Sequence, residues 1–285
     1  MVHADNNTPK QDKSKDGGSK DEASKDTVEA KKVSLIKGHE HRRRGIYILP
    51  NLFTTAALFA GFYAMVQAMN GNFAAAPLAI YIAMVMDGLD GRVARWTNTQ
   101  SDFGAEYDSL ADMVSFGMAP ALIMYEWALS GLGKVGWLAA FIYACSAALR
   151  LARFNTQLDT GDKHNFYGLP SPAAAAVVMG FIWVLHSYGV PGKEISLLAL
   201  GVTLGTGILM VSNIRYRSFK DLNVKGRVSF MAILLIPAAF VLVFLDPPQA
   251  LFAVFLLYAL SGPIRSLYQL ARYGRETSTK ESKED

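Results

Sequence analysis

Long apolar stretches, separated by short polar segments, make up most of the chain after residue 45. A run of about 18–25 mostly apolar residues is long enough to cross a bilayer as a helix. The pattern therefore predicts an all-α fold, a polytopic integral membrane bundle of about eight transmembrane helices. The predicted spans are 49–69, 74–95, 104–129, 134–154, 171–189, 194–212, 228–245 and 249–271.

The segments outside the apolar core differ from it in composition. Residues 1–36 are rich in Lys, Asp, Ser and Gly, so we expect a disordered cytoplasmic tail that cannot bury enough apolar surface to fold. Residues 37–48 form a basic juxtamembrane segment. The other predicted divisions are a transmembrane core at 49–212, a basic cytoplasmic loop at 213–227, two additional C-terminal transmembrane helices at 228–271 and a cytoplasmic tail at 272–285.

Loops with many Lys and Arg residues alternate along the chain with loops that have few, and this distribution predicts the orientation of the helices in the membrane. Under the positive-inside rule the crowded loops, both termini and the polar segment 87–112 are cytoplasmic. The net charge of +4 is then explained by membrane flanks, and we expect no nucleic-acid binding. The crowded loops hold Arg92, Arg95, Arg150, Arg153, Lys163, Arg215, Arg217, Lys220, Lys225 and Arg227, against Lys134 and Lys193 in the others.

Four aspartates interrupt the second and third apolar stretches, where each costs about 2.5–3.5 kcal/mol to insert. They lie on two helical stripes with small residues, and the short link between the helices predicts antiparallel neighbours whose carboxylates face one another. A lone aspartate near a helix end usually only reaches towards water, but that explanation does not account for two matching stripes. The stripes consist of Asp87, Asp90, Gly91, Ala94 and Arg95, and of Gly104, Asp108 and Asp112.

This excess of carboxylates indicates hard divalent cations, Mg²⁺ or Mn²⁺, since nearby arginines neutralise two of the four at most. Cations at such a site most often bind phosphates. Gly91 and Gly104 lack a Cβ, so a flat ligand such as a nucleotide base can approach the backbone.

A second polar group, Arg150, Arg153 and Asn155, ends the fourth predicted span. Two interpretations remain open for its arginines. They anchor the helix to lipid phosphate, or they bind a carboxylate or phosphate in a pocket through charge-assisted hydrogen bonds.

The pattern Asp87-x2-Asp90-Gly91-x2-Ala94-Arg95-x8-Gly104-x3-Asp108-x3-Asp112 resembles the complete motif of the CDP-alcohol phosphotransferase family. Members are integral membrane enzymes that transfer a phosphatidyl or similar group from a CDP-linked donor to an alcohol, releasing CMP. The resemblance implies two divalent ions on Asp87, Asp90 and Asp108, with Asp112 as general base at or beside the ions. It also implies a CDP site formed by Asp90, Gly91, Ala94, Arg95, Gly104 and Asp108.

Three further segments, LPNLFTTAALFAGF, ALRLARFN and FYGLPSP, resemble the serine-accepting branch of the family. That resemblance implies CDP-diacylglycerol and L-serine as substrates, with Arg150, Arg153 and Asn155 holding serine's carboxylate or the donor phosphate. It also implies membrane lipids as partners, a homodimer, and a bacterial-type inner membrane location.

Three alternatives compete with the serine-accepting interpretation. Glycerol phosphate, inositol phosphate or another alcohol would keep the chemistry and change the acceptor. Intramembrane aspartates also mark cation or proton-coupled transporters, but none of the external halves of the spans carries a matching acid to form a path across. A scaffold that gathers anionic lipid would explain the basic residues at 215–227 and leave the aspartates without a role.

Overall fold

A computed structural model of the chain describes residues 49–159, 168–214, 216, 241 and 243–281, and these are helices joined by short turns. The predicted tail 1–36, the basic segment 37–48, most of the loop 213–227 and nearly all of the span 228–245 lie outside the described residues. The α-helices are α1 (Leu49–Met69), α2 (Ala75–Thr97), α3 (Asp102–Asp112), α4 (Ala119–Met124), α5 (Lys134–Asp159), α6 (Ser171–Ser187), α7 (Ser196–Val211) and α8 (Pro247–Glu281). The all-α prediction is confirmed over this part of the chain.

The third predicted span, 104–129, is helical but not regular. After α3 the backbone widens into a π-helical segment, Met113–Met118, and a second one, Tyr125–Leu129, follows α4. The first π segment packs closely on α1: Ser115 Oγ donates to the Ala57 carbonyl at 3.1 Å, and a Cβ added to Gly61 would lie 2.6 Å from Ser115 Oγ. Such wide turns occur often near functional sites, and hydrophobic periodicity does not predict them.

Four of the described helices are long and apolar enough to cross a membrane: Leu49–Met69, Lys134–Thr156, Gly192–Val211 and Pro247–Ser266. Ser171–Ser187 is apolar but shorter, about 26 Å at 1.5 Å per residue. α2 falls outside this set because of the charged residues of the acidic motif, and α3 because it has only 11 residues before the π segment begins. The last helix also continues to Glu281, beyond the predicted end at residue 271.

The interior is packed with small side chains, while many large apolar ones face outwards. In α6 every residue from Ala173 to Ile182 is buried, and the helix packs against α2, α7 and α8. A Cβ on Gly180 would lie 2.9 Å from both Phe252 Cβ and the Tyr81 hydroxyl, so the helices approach closely there. Small residues inside and large apolar residues outside are typical of helices that pack in a lipid environment. Exposed large residues include Phe59, Phe62, Leu197, Leu257 and Ile264.

The turn between α2 and α3 brings the two aspartate stripes together. Asn98 ends α2 in the left-handed conformation (φ 51°), and its N–H donates to the carbonyls of Ala94 and Arg95. Ser101 then begins α3 by accepting the Gly104 N–H at 3.1 Å. Because Asn tolerates this conformation and Ser is a strong N-cap, the local sequence specifies both helix ends.

Candidate metal and substrate site

Three carboxylates from α2 and α3 converge at one point. Asp87, Asp90 and Asp108 each offer an oxygen, and these oxygens all lie within 4.8 Å of one another. Asp90 is buried, and the other two are partly buried. We call these three residues and Asp112 the acidic cluster.

The acidic cluster is arranged in two facing pairs. The side chain of Asp87 interacts with that of Asp112, and the side chain of Asp90 interacts with that of Asp108. The earlier residue of α2 pairs with the later residue of α3, which is the register of antiparallel neighbours. Two carboxyl groups this close repel each other unless a proton or a cation lies between them.

Asp108 Oδ1 supplies a direct test of whether the cluster fits a metal ion. This atom is buried and has no hydrogen-bond partner among the described residues. A buried carboxylate oxygen without a donor is costly, and hard divalent cations bind oxygen ligands of this type. The residues present therefore fit Mg²⁺ or Mn²⁺.

Helix α1 also contacts the site, although the aspartate motif includes no residue of this helix. Thr54 Oγ1 donates to Asp90 Oδ2 at 2.8 Å, and Thr54 is 3 % exposed. Outside the carboxylates, Thr55 Oγ1 lies 2.9 Å from the Tyr107 hydroxyl. In the sequence, Thr54 shares a helical stripe with Pro50 and Asn51 in a mostly apolar span. That spacing does not identify Asp90 as the partner of Thr54.

The residues predicted to bind CDP have different surroundings. Among the described residues nothing lies within 4 Å of a Cβ built on Gly91, so none of them fills the space beside this backbone. At Gly104 the same Cβ would lie 3.1 Å from Ser101 Oγ and 3.5 Å from Asn51 Oδ1. Ala94 is half-buried and Arg95 is exposed.

The predicted residues of α5 have three different surroundings. Arg150 Nη1 donates to Ser171 Oγ at 2.7 Å, and the guanidinium interacts electrostatically with Asp112. Arg153 Nη2 donates to Asn213 Oδ1, at the end of α7, at 3.0 Å. Asn155 Nδ2 donates to Ser109 Oγ, on α3, at 3.1 Å. We call Arg150 and Arg153 the basic pair; the structure brings Arg150 beside the acidic cluster.

The backbone before α6 holds Ser171 in place for this contact. Gly168 has φ 84°, and its N–H donates to the Ile214 carbonyl at 2.9 Å. A Cβ there would overlap the Met210 carbonyl oxygen, so only glycine fits. The Leu169 N–H donates to the Leu209 carbonyl at 2.9 Å, which fastens the start of α6 to the end of α7.

These features define a class of protein: helical, with segments able to cross a membrane, and with an acidic site suited to a divalent cation. Residues 47–211 match the family model of the CDP-alcohol phosphatidyltransferases, and the chain belongs to that family. The apolar helices and this membership indicate a membrane protein.

Similar proteins from bacteria and an archaeon carry one name, CDP-diacylglycerol–serine O-phosphatidyltransferase. The protein of Helicobacter pylori strain J99 is 39% identical over 227 residues, 80% of this chain and 94% of that protein. The protein of Bacillus subtilis is 35% identical over 174 residues, 60% of this chain and 91% of its own length. That of Methanocaldococcus jannaschii is 42% identical over 142 residues, 50% of this chain and 63% of its own length.

Proposed function

We propose that this protein transfers the phosphatidyl group of CDP-diacylglycerol to the hydroxyl of L-serine, forming phosphatidylserine and CMP in phospholipid biosynthesis. The convergence of Asp87, Asp90 and Asp108 carboxylate oxygens within 4.8 Å is the observation that carries the proposal. The shared name of the relatives supports serine as the acceptor.

Asp87, Asp90 and Asp108 would hold two divalent cations, Mg²⁺ or Mn²⁺, with Asp112 at or beside the ions. Ions bound there would supply charge stabilisation to the phosphate groups of the donor. The CDP portion lies against Gly91, Ala94, Arg95 and Gly104, together with Asp90 and Asp108. The open space beside Gly91 supports this placement.

Asp112 acts as the general base. It takes the proton from the serine hydroxyl as that oxygen attacks the phosphorus bonded to diacylglycerol, and the bond from this phosphorus to CMP breaks. Arg150 holds the serine carboxylate next to Asp112, since its charge lies beside that residue. Arg153 and Asn155 support the acceptor or the donor phosphate from the same end of α5.

The chain adopts a polytopic arrangement of about eight transmembrane helices in a bacterial-type inner membrane. Its core is 49–212, the C-terminal helices of 228–271 are additional, and both tails and the acidic cluster are cytoplasmic. The distribution of Lys and Arg among the loops supports this orientation. The protein works as a homodimer among membrane lipids.

The test is CMP release by the detergent-purified protein with CDP-diacylglycerol and Mn²⁺ or Mg²⁺, with single alcohols added. We expect release that depends on serine, is lost on chelation, and is lost in Asp112→Asn. Asp102→Asn, an exposed carboxylate on the same helix, is the matched control and should remain active. Release only with glycerol phosphate or inositol phosphate would overturn serine as acceptor, and no release from folded, metal-loaded protein would overturn the chemistry.

A further inference from the structure

Thr54 lies behind the acidic cluster on α1, and its hydroxyl has two acceptors within reach. Oγ1 lies 2.8 Å from Asp90 Oδ2 and 3.2 Å from the Pro50 carbonyl oxygen. A hydroxyl has one hydrogen to donate, and a closer, charged acceptor forms the stronger bond. The Pro50 carbonyl is also the ordinary α-helical acceptor for the N–H of residue 54. The hydrogen therefore belongs to Asp90.

This bond acts on the residue of the cluster with the smallest exposed fraction. Asp90 is 5 % exposed and Thr54 is 3 % exposed, so water reaches neither side chain easily. The terminal torsion of an Asp side chain has a broad, soft preference. A donor fixed to Oδ2 removes that freedom and leaves Oδ1 as the oxygen directed elsewhere. Asp108 also interacts with the Asp90 side chain, and the two residues offer oxygens within 4.8 Å of each other.

We infer that Thr54 is a positioning residue, which orients the Asp90 carboxylate so that the cluster binds a divalent cation. The inference rests on the metal site of the proposed function. Partners that orient a ligating carboxylate typically change metal affinity by about 10–100-fold when they are removed. α1 thus contributes to metal binding through Asp90, without itself providing a ligand.

Mn²⁺ binding to the purified, metal-free protein tests this role directly, measured by electron paramagnetic resonance of free Mn²⁺ without nucleotide or lipid donor. Thr54→Val keeps the side-chain shape and removes the donor, so we expect about 10-fold weaker binding. Thr54→Ser retains the hydroxyl and should bind within about three-fold of the unmodified protein. Thr55→Val is the matched control, since its hydroxyl contacts Tyr107 and no carboxylate of the cluster, and its affinity should not change.

A double variant tests whether the effect runs through Asp90. In an Asp90→Asn background, Thr54→Val should cause little additional loss of Mn²⁺ affinity, because the two changes act on one interaction. Unchanged affinity in Thr54→Val, an equal loss in Thr55→Val, or a full additional loss in the double variant would each overturn the inference. Thr54→Ala, measured in the same way, replaces Thr54→Val if the valine variant does not fold.

The result is separable from the test of the proposed function. Thr54-dependent Mn²⁺ binding without CMP release would leave the inference standing and remove the reaction. Serine-dependent CMP release with Mn²⁺ affinity unaffected by Thr54→Val would support the proposed reaction and overturn the role of Thr54.

Discussion

The acidic cluster comes from two helices joined by four residues, Asn98 to Ser101, whereas the basic pair finds its partners in separate parts of the chain. Arg150 reaches Ser171 on α6, and Arg153 reaches Asn213 beyond α7. The acidic cluster holds excess negative charge, which bound cations would neutralise. The hydrogen bonds from Arg150 and Arg153 go to neutral side chains, and Arg150 also interacts electrostatically with Asp112. In the proposed function, the acidic half of the site binds metal and the basic half binds a substrate anion.

The largest effect is expected in the acidic half. Asp108→Asn removes the charge of the carboxylate whose Oδ1 is buried without a partner. We expect kcat/KM for CMP release to fall by about 10³-fold, equivalent to about 4 kcal/mol of transition-state stabilisation. Mn²⁺ affinity should fall as well, measured on the same preparation. Asp102→Asn is again the control, and full activity in Asp108→Asn would show that the metal half does not depend on this residue.

A smaller effect on activity is expected in the basic half, and it should appear in a different constant. Arg150→Gln removes a charged donor beside Asp112, and such bonds contribute about 1.5–3 kcal/mol. We expect the serine KM to rise about 10–100-fold, with Mn²⁺ affinity not weakened. Steady-state kinetics at varied serine, combined with Mn²⁺ titration, measures both quantities.

Arg153→Gln provides the comparison for Arg150→Gln, because Arg153 bonds to Asn213 on the side of α7. Its effect on the serine KM should be smaller. Equal effects from the two variants, or an Mn²⁺ affinity that falls as much as the serine affinity, would break the division into two halves.

The smallest effect on activity is expected away from both halves. Gly180→Ala places a methyl group 2.9 Å from Phe252 Cβ, where α6 meets α8. We expect the free energy of unfolding to fall by about 1–3 kcal/mol, seen as a lower thermal midpoint in detergent. The dependence of CMP release on Mn²⁺ concentration and on serine concentration should remain unchanged.

Gly201→Ala is the matched control for Gly180→Ala, since no atom in the part of the chain that the structure describes lies within 4 Å of its Cβ position. Its stability should change by less than about 0.5 kcal/mol or increase slightly. A larger loss in Gly201→Ala than in Gly180→Ala would contradict the packing described for α6.

The two halves also differ in how far sequence alone predicts them. The spacing of the four aspartates predicts their meeting because both stripes belong to neighbouring helices with a short turn, and helical periodicity is a local property. The partners of Arg150 and of Asp90, namely Ser171 and Thr54, are not predicted. Those contacts depend on how distant helices pack, and single polar residues in apolar spans carry no signal of their partner.

The helices themselves were predicted well, with two exceptions of physical origin. Predicted spans such as 49–69 and 171–189 coincide closely with Leu49–Met69 and Ser171–Ser187, since long apolar runs are strong signals. The π segments in 104–129 are not predicted by a hydrophobic pattern, because such a pattern assumes one fixed helical period. The C-terminal helix extends to Glu281 because polar residues continue a helix readily once its apolar part is anchored.

The π segment at Met113–Met118 changes the angular position, around the helix axis, of the side chains that follow it. A π hydrogen bond encloses one residue more than an α-helical bond, and one residue corresponds to about 100° of rotation at 3.6 residues per turn. The segment thus offsets the angular position of the residues that follow it from the stripe that carries Asp108 and Asp112. A repeat of about 3.6 residues carried through this part of the chain would therefore assign the wrong face to the residues from Ala119 onwards, where the backbone returns to an α-helix.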